Sequence, residues 1–455
     1  MKINIELTPA NLYGLANIYI CYKEPATDLE KKVQLKVEEF FKLYDFTQDT
    51  TSLGFDFFLI SAIVYGIDDL FARDKYSFNG WTRELEVILP VNNIDEWNSA
   101  SQPFSEALSF LTGDQWTVTF RKLTETIYVE SIVRLANSRP HYNFNDYSFA
   151  SLFSGGLDSL IGVINELDNL EAGKKGIFIS HYDSIYKGPK GDQIALINKL
   201  DTSKIDYFRT MVGLSNIDNL NNKIKRDGNQ RARSILFLGL GCYLTTNANI
   251  HELIMPENGT ISLNHPLTPS RSSSLSTRTT HPFFIDQLHI VFNLVGINLR
   301  IKNPFSFSTK GEMVVNCTNR TLLTNTYADS ASCGKRRPQP KWDVKGAKQC
   351  GTCMPCIYRR ASLHKLNLDD EVFGKDLLNQ LNPINASKED MSALFDYLNS
   401  NLTLEKIKRN LIVNGNIPQV NLTDYAKVVE RSRNEILAWI SAKGNIQIKD
   451  ALGLR

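Results

Sequence analysis

The stretch from Tyr147 to Leu170 limits the possible folds of this chain more than any other. An apolar run from Tyr147 to Phe153 meets Ser154-Gly155-Gly156-Leu157-Asp158-Ser159, after which Leu160, Val163, Ile164, Leu167 and Leu170 recur every three to four residues. An apolar run that changes to helical periodicity across a glycine pair predicts a strand, a tight turn and a helix in direct succession. The first amide groups of such a helix have no partner within it, and the aligned peptide dipoles place partial positive charge at that end. Paired glycines let the main chain approach a bound group that a Cβ would obstruct, and Ser154 and Ser159 add hydroxyl donors. The corner is therefore suited to an anion such as a phosphate. An ordinary strand-turn-helix corner, where Gly and Ser are common, is the plain alternative.

The spacing is neither G-x-x-x-x-G-K-[ST] nor G-x-G-x-x-G. It has the form S-G-G-x-D-S, the pyrophosphate loop of enzymes that cleave ATP between its α- and β-phosphates. ATP is accordingly expected on Ser154, Gly155, Gly156, Leu157, Asp158 and Ser159.

Around this corner, strand and helix patterns alternate. Gly176–Ser180, Ile205–Val212 and Glu252–Met255 read as strands, and Asp192–Leu200 and Arg231–Thr246 as helices, with Gly173 a C-cap for the first helix. Alternation of this kind predicts an α/β fold with a parallel sheet, whose ligands bind at the carboxyl ends of the strands. The Ser/Thr/Asn/Pro-rich stretch Pro256–Pro282 reads as a loop covering the substrate, with a disordered loop as the alternative. Phe283–Val295 returns to helix and Ile297–Ile301 to strand.

Three regions are expected. Residues 1–140 read as an α+β domain for partner docking or support: strands at Ile18–Tyr22, Val33–Val37, Leu85–Leu89 and Trp116–Phe120, a buried helix at Phe55–Phe71, and a helical stretch from Ile94 to Leu111. The turn-rich Asn137–Asp146 marks the boundary. Residues 145–366 form the core, and 367–455 a helical extension with helices at Asp390–Asn399, Leu404–Val413 and Asp424–Ser441, the first opened by a Ser387/Asp390 capping box. Leu437, Trp439 and Ile440 read as packing residues.

A formal charge of +2 over 455 residues gives no default electrostatic drive toward nucleic acid, which is left open as a partner. Met1-Lys2-Ile3-Asn4-Ile5-Glu6 lacks the apolar core of a signal peptide, and the most apolar windows are too short or carry acids, so no membrane span is expected. The expected compartment is cytoplasmic. Seven cysteines, an odd number with four between 333 and 356, argue against a disulfide framework.

Those four, Cys333, Cys350, Cys353 and Cys356, have the composition of an all-cysteine tetrahedral Zn²⁺ site without an open position. An iron–sulfur cluster is the competing reading, but the fourth cysteine followed by proline that completes the ferredoxin run is missing. Free thiols are the third. Lys335, Arg336, Arg337, Lys341, Lys345 and Lys348 lie between the cysteines, either as a solvated basic loop or as a patch guiding an anion.

The turn and the cysteine cluster together resemble the QueC family of 7-cyano-7-deazaguanine synthases. Further matches follow in that family's order: Arg233-Ser234, Pro304, Thr309-Lys310-Gly311-Glu312-Met313, then Cys350-Gly351-Thr352-Cys353-Met354-Pro355-Cys356 and Arg359. The resemblance spans about 145 to 365 and implies a pyrophosphate-loop (HUP-like) core with a zinc module. It further implies an ATP-dependent, AMP-forming ligase that adenylates the carboxylate of 7-carboxy-7-deazaguanine and couples it to an amine. In the family the amine is ammonia, and a second ATP yields the nitrile. The implied roles are charge stabilisation by Lys310 and Arg233 and Mg²⁺ binding or loop orientation by Asp158. The plain alternatives are a solvated lysine, a surface salt bridge and a helix N-cap. Where that family carries Asp-Cys-Arg-Pro, this chain has Thr279-Thr280-His281-Pro282. Its additional regions resemble the extended QatC group of bacterial anti-phage defence, which implies a protein as the amine. A tRNA-modifying enzyme and a non-catalytic nucleotide-sensing scaffold are the other expectations.

Overall fold

Among the described residues, ten strands form one sheet whose two ends come from different parts of the chain. A computed structural model describes residues 1–10, 13–131, 139–183, 187–267, 278–334, 342–379 and 390–454. The strands are β1 (Lys2–Thr8), β2 (Gly14–Leu15), β3 (Asn17–Lys23), β4 (Glu30–Glu38), β5 (Glu84–Val91), β6 (Gln115–Lys122), β7 (Tyr128–Val129), β8 (Tyr147–Leu152), β9 (Lys175–His181), β10 (Ile205–Leu214), β11 (Glu252–Ile254) and β12 (Arg300–Lys302). Strands β2 and β7 pair separately, and the large sheet runs β12-β11-β8-β9-β10-β4-β3-β1-β5-β6. Pairing is parallel from β12 to β10, antiparallel from β10 through β4 and β3 to β1, and parallel again to β6. The α/β class and a mostly parallel sheet are thus as expected.

The two parts meet where Met211–Leu214 of β10 pair with Glu38–Leu35 of β4. Behind this junction the Leu53–Leu70 and Arg233–Asn247 helices pack side by side, almost every residue of the first being buried. One apolar core runs through both, from Ile18 and Val33 through Phe57 and Ile63 to Leu238 and Leu253. A second core, with Phe153, Leu160 and Ile164, fills the other face of the parallel half.

Several expected boundaries shift. The 94–111 stretch is two helices, Ile94–Ser99 and Ser101–Thr112, broken at Ala100. The helix after the glycine turn ends at Asp168 with Asn169 as its C-cap, and Gly173 lies beyond it in a turn at φ +80°. The Asp192–Leu200 helix instead spans Lys187–Ile197, and the Ile297–Ile301 strand shortens to β12 because only three residues pair with β11. Strand β1 was missed, although Ile3, Ile5 and Leu7 alternate with polar residues. The 256–282 stretch contains a short Gly259–Leu263 helix, while 268–277 lie outside the described residues. So do Ser387 of the capping box and Lys335, Arg336, Arg337 and Lys341 of the basic loop. Trp439 and Ile440 are buried as packing residues. Among the described residues, no helix is long and apolar enough to cross a membrane.

Candidate functional site

The parallel half is doubly wound. From β8 the chain moves outward to β9 and β10, then returns past β8 to β11 and β12. The strand order therefore reverses between β8 and β11, and the loops leaving them part to open a crevice at their carboxyl ends. A cavity of about 250 Å³ lies there, lined by Leu152, Ser154, Ser159, Arg233, Ser234, Phe237, Met255, Pro256, Glu257, Thr279 and Thr280. The expected Ser154, Ser159, Arg233 and Thr279 thus share one wall-to-wall space, although up to 125 residues separate them in the chain.

The glycine turn forms as anticipated. Gly155 has φ +82°, and a Cβ on it would stand 3.1 Å from Gln193 Cγ. Gln193 in turn donates to the Ser154 and His181 carbonyls at 3.3 and 3.1 Å. Gly156 is the N-cap of the Leu157–Asp168 helix. The Ser154 and Ser159 hydroxyls lie 3.2 Å apart. Ala331 N–H donates to the Gly155 carbonyl at 3.0 Å, so the segment entering the cysteine cluster holds the turn from outside.

Asp158 is the second residue of that helix, not its cap. Its carboxylate instead binds the Lys310 ammonium and accepts from Asn258 Nδ2 at 2.6 Å. Both side chains of the ion pair are buried, Lys310 at 4% exposure. Burial opposes the charge on Asp158, but Lys310 outweighs it and holds the carboxyl down at about 2. Glu257 sits next to this pair, and burial together with the Asp158 charge pushes its carboxyl well above the usual range. Two adjacent carboxylates with one nearby cation thus share a proton, one ionised and one neutral. Sequence reasoning missed Glu257. Its signal was an acidic residue at the carboxyl end of the Glu252–Met255 strand, next in the sheet to the strand carrying the glycine turn.

Arg233 opens its helix on the cavity wall, and its buried Nε has no hydrogen-bond partner; neither does the Ser234 hydroxyl. No carboxylate pairs with Arg233 among the described residues, so the surface salt bridge expected as its alternative is absent. The main chain before it is fixed by Asp68, which accepts from Ala232 N–H at 2.8 Å. Asp68 is itself held by Arg83, fully buried, whose guanidinium also binds Asp114. Lys310 does not line the cavity and reaches it only through Asp158 and Glu257. Gly155, Gly156 and Leu157 do not line the cavity; Gly156 N–H donates to the Ser154 hydroxyl at 3.3 Å and Leu157 N–H to the Ser332 hydroxyl at 3.5 Å.

Cys333, Cys350, Cys353 and Cys356 bring their sulfurs within 4.8 Å of one another. Individual separations are 3.9 Å (Cys333–Cys353), 3.8 Å (Cys350–Cys356) and 3.4 Å (Cys353–Cys356). Four sulfurs about 2.3 Å from a tetrahedral Zn²⁺ stand about 3.8 Å apart, so the group could bind a metal ion such as zinc. The Thr352 and Cys353 amides point at Cys350 Sγ at 3.4 and 3.3 Å, as a turn around an anionic sulfur requires. Gly351, at φ +82°, makes that turn, and a Cβ there would stand 2.2 Å from the Lys375 carbonyl. Arg359, fully buried, ties Ser330 and the Tyr327 carbonyl to Glu371 and stands outside the cavity lining.

Comparison with protein-family models, curated proteins and solved structures gives no match to this chain.

Proposed function

We propose that the chain is a QueC-like pyrophosphate-loop enzyme that uses ATP to adenylate the carboxylate of a 7-deazaguanine acid and passes the acyl group to an amine, carried by a protein partner in anti-phage defence. The observation that carries this reading is the cavity at the strand-order reversal, where the glycine turn faces an arginine whose Nε has no partner. Such a space suits a polyanion: the Ser154 and Ser159 hydroxyls, at the amino end of the Leu157–Asp168 helix, would hold a departing pyrophosphate, and Arg233 would stabilise charge developing on the phosphates. Attack of the substrate carboxylate on the α-phosphorus breaks the bond to the β-phosphate oxygen and releases pyrophosphate. The amine then attacks the acyl carbon, an amide forms and AMP leaves with the electron pair of the broken C–O bond.

Glu257 on the cavity wall, once it gives up its proton, and the ionised Asp158 beside it would supply hard oxygen ligands to a Mg²⁺ ion. Bound there, Mg²⁺ would neutralise triphosphate charge. Lys310 keeps Asp158 ionised, and Thr279 and Thr280 offer hydroxyls in place of an acid toward the base edge. The cysteine group, if loaded with Zn²⁺, supports the fold, and all four of its ligands come from protein.

Incubating the protein with ATP and 7-carboxy-7-deazaguanine, with and without neighbouring operon proteins, tests the reading. Pyrophosphate release is expected, and Arg233→Ala should lower it by about 10²–10³-fold. A partner mass gain equal to the acid minus water identifies a protein acceptor; free nitrile alone identifies ammonia. No pyrophosphate under any condition would falsify the proposal. A second reading, a nucleotide-sensing scaffold, is favoured by Lys310 being turned toward Asp158 rather than the cavity. In that case Lys310→Ala would leave partner assembly intact wherever ATP still binds.

A further inference from the structure

The C-terminal extension reaches the reaction centre from behind. Its longest helix, Gln419–Lys443, presents Glu435, which is 8% exposed, to the start of the Lys310–Val315 helix. Glu435 accepts from the Thr309 hydroxyl at 2.5 Å and from Gly311 N–H at 3.2 Å, and pairs with Lys365 at 2.8 Å. One turn earlier, Arg431 binds Glu312 at 2.6 Å.

These contacts bear on Lys310 because its helix has only six residues, too few to hold its own geometry in isolation. What fixes its start is a capping box: Thr309 Oγ accepts from Glu312 N–H, and the Glu312 carboxylate accepts from Thr309 N–H. By accepting the Thr309 proton, Glu435 orients that hydroxyl so that its lone pair faces Glu312 N–H. Its negative charge also complements the amino end of the helix. A Cβ on Gly311 would stand 2.5 Å from Glu435 Oε1, so the two elements touch without an intervening side chain. Lys310 is the residue between the two that Glu435 grips.

We infer that Glu435 is a positioning residue for Lys310, which makes the C-terminal extension a working part of the reaction centre. The inference deepens the proposed ligase reading and rests on it for the catalytic consequence alone; the placement of Lys310 is testable without any reaction.

Two readouts on the full chain test it. The first is the rate at which an amine-reactive reagent modifies Lys310, read by peptide mass spectrometry without substrate. Lys310 is buried against Asp158, so the native protein should resist the reagent and Glu435→Ala should react at least tenfold faster, with Glu435→Gln within threefold of native. The second is pyrophosphate release. Glu435→Ala should lower kcat tenfold or more with KM for ATP within about twofold, because Lys310 acts through Asp158 and does not line the cavity that ATP would occupy. In a Lys310→Ala background the same change should cost less than twofold, because a residue acting through Lys310 has nothing left to act on. If Glu435→Ala does not fold, Glu435→Asp, which withdraws the carboxylate by one methylene, is read in the same way. Unchanged Lys310 reactivity, or a full loss of kcat persisting in the Lys310→Ala background, overturns the inference. Unmasked Lys310 in a protein that releases no pyrophosphate from any acid upholds the positioning and sinks only the ligase reading.

Discussion

His181 and His281 flank the cavity, and both are kept neutral by their surroundings. Burial, with Arg233 adding to it, holds His181 at about 3; burial, with Arg278 adding to it, holds His281 at the same value. Each is depressed below the ordinary value near 6.5, so the unfolded chain binds a proton that the folded chain refuses. The stability that this neutrality contributes is present above about 6.5 and is lost as pH falls toward 3. Between pH 7 and pH 5 each histidine should cost about 2 kcal/mol. His281→Asn keeps a side-chain acceptor for Phe283 N–H, the role His281 Nδ1 plays as N-cap. Denaturant melts of this variant should therefore lose about 2 kcal/mol less than the native protein over the same interval. An unchanged pH slope would show that His281 is charged in the fold. The sequence marked neither histidine as neutral, His281 being noted only within Thr279-Thr280-His281-Pro282, because nothing local to them signals burial.

The glycine turn and the cysteine group are separate in the sequence but mechanically joined. Ala331 N–H grips the Gly155 carbonyl, and Ser332 N–H donates to Gln349 Oε1 at 2.9 Å, directly beside Cys333 and Cys350. A metal ion bound by the four sulfurs would therefore fix the strap that holds the turn. In small zinc peptides such closure is worth about 10–16 kcal/mol. Stripping the metal with a chelator, or replacing Cys353 with Ser, should lower the thermal midpoint and raise amide hydrogen exchange at 154–160 as well as at 350–356. Exchange confined to the cysteine segment would show that the strap holds without the ion. The turn and the four cysteines were legible because each is a local pattern with fixed spacing. The strap was not, since the alanine and serine that make it carry no signal of their own.

At the scale of the whole molecule, the amino-terminal residues are not an appendage. Strand β4 covers the edge of β10, Leu53–Leu70 covers the apolar Arg233–Asn247 helix, and the Asp68–Arg83–Asp114 group anchors the chain just before Arg233. A fragment beginning at residue 145 would expose an unpaired strand edge and a wide apolar helix face, both routes to aggregation. Such a fragment should be insoluble when made alone and recover solubility when 1–140 is supplied as a separate chain. A monomeric, cooperatively melting 145–455 fragment would show that the seam contributes little.

By itself, the sequence determined the elements whose code is local: a strand-turn-helix corner set by Ser154–Ser159, alternating strands and helices, and a four-cysteine group. Each follows from backbone freedom, periodicity or ligand spacing within a few residues. Only the tertiary structure decided that β10 pairs with β4, that Glu257 joins Asp158 and Lys310, and that Glu435 holds the helix start. Those depend on which surfaces meet across roughly 50 to 180 residues of chain, where burial and charge pairing act through space and leave no spacing in the chain to read.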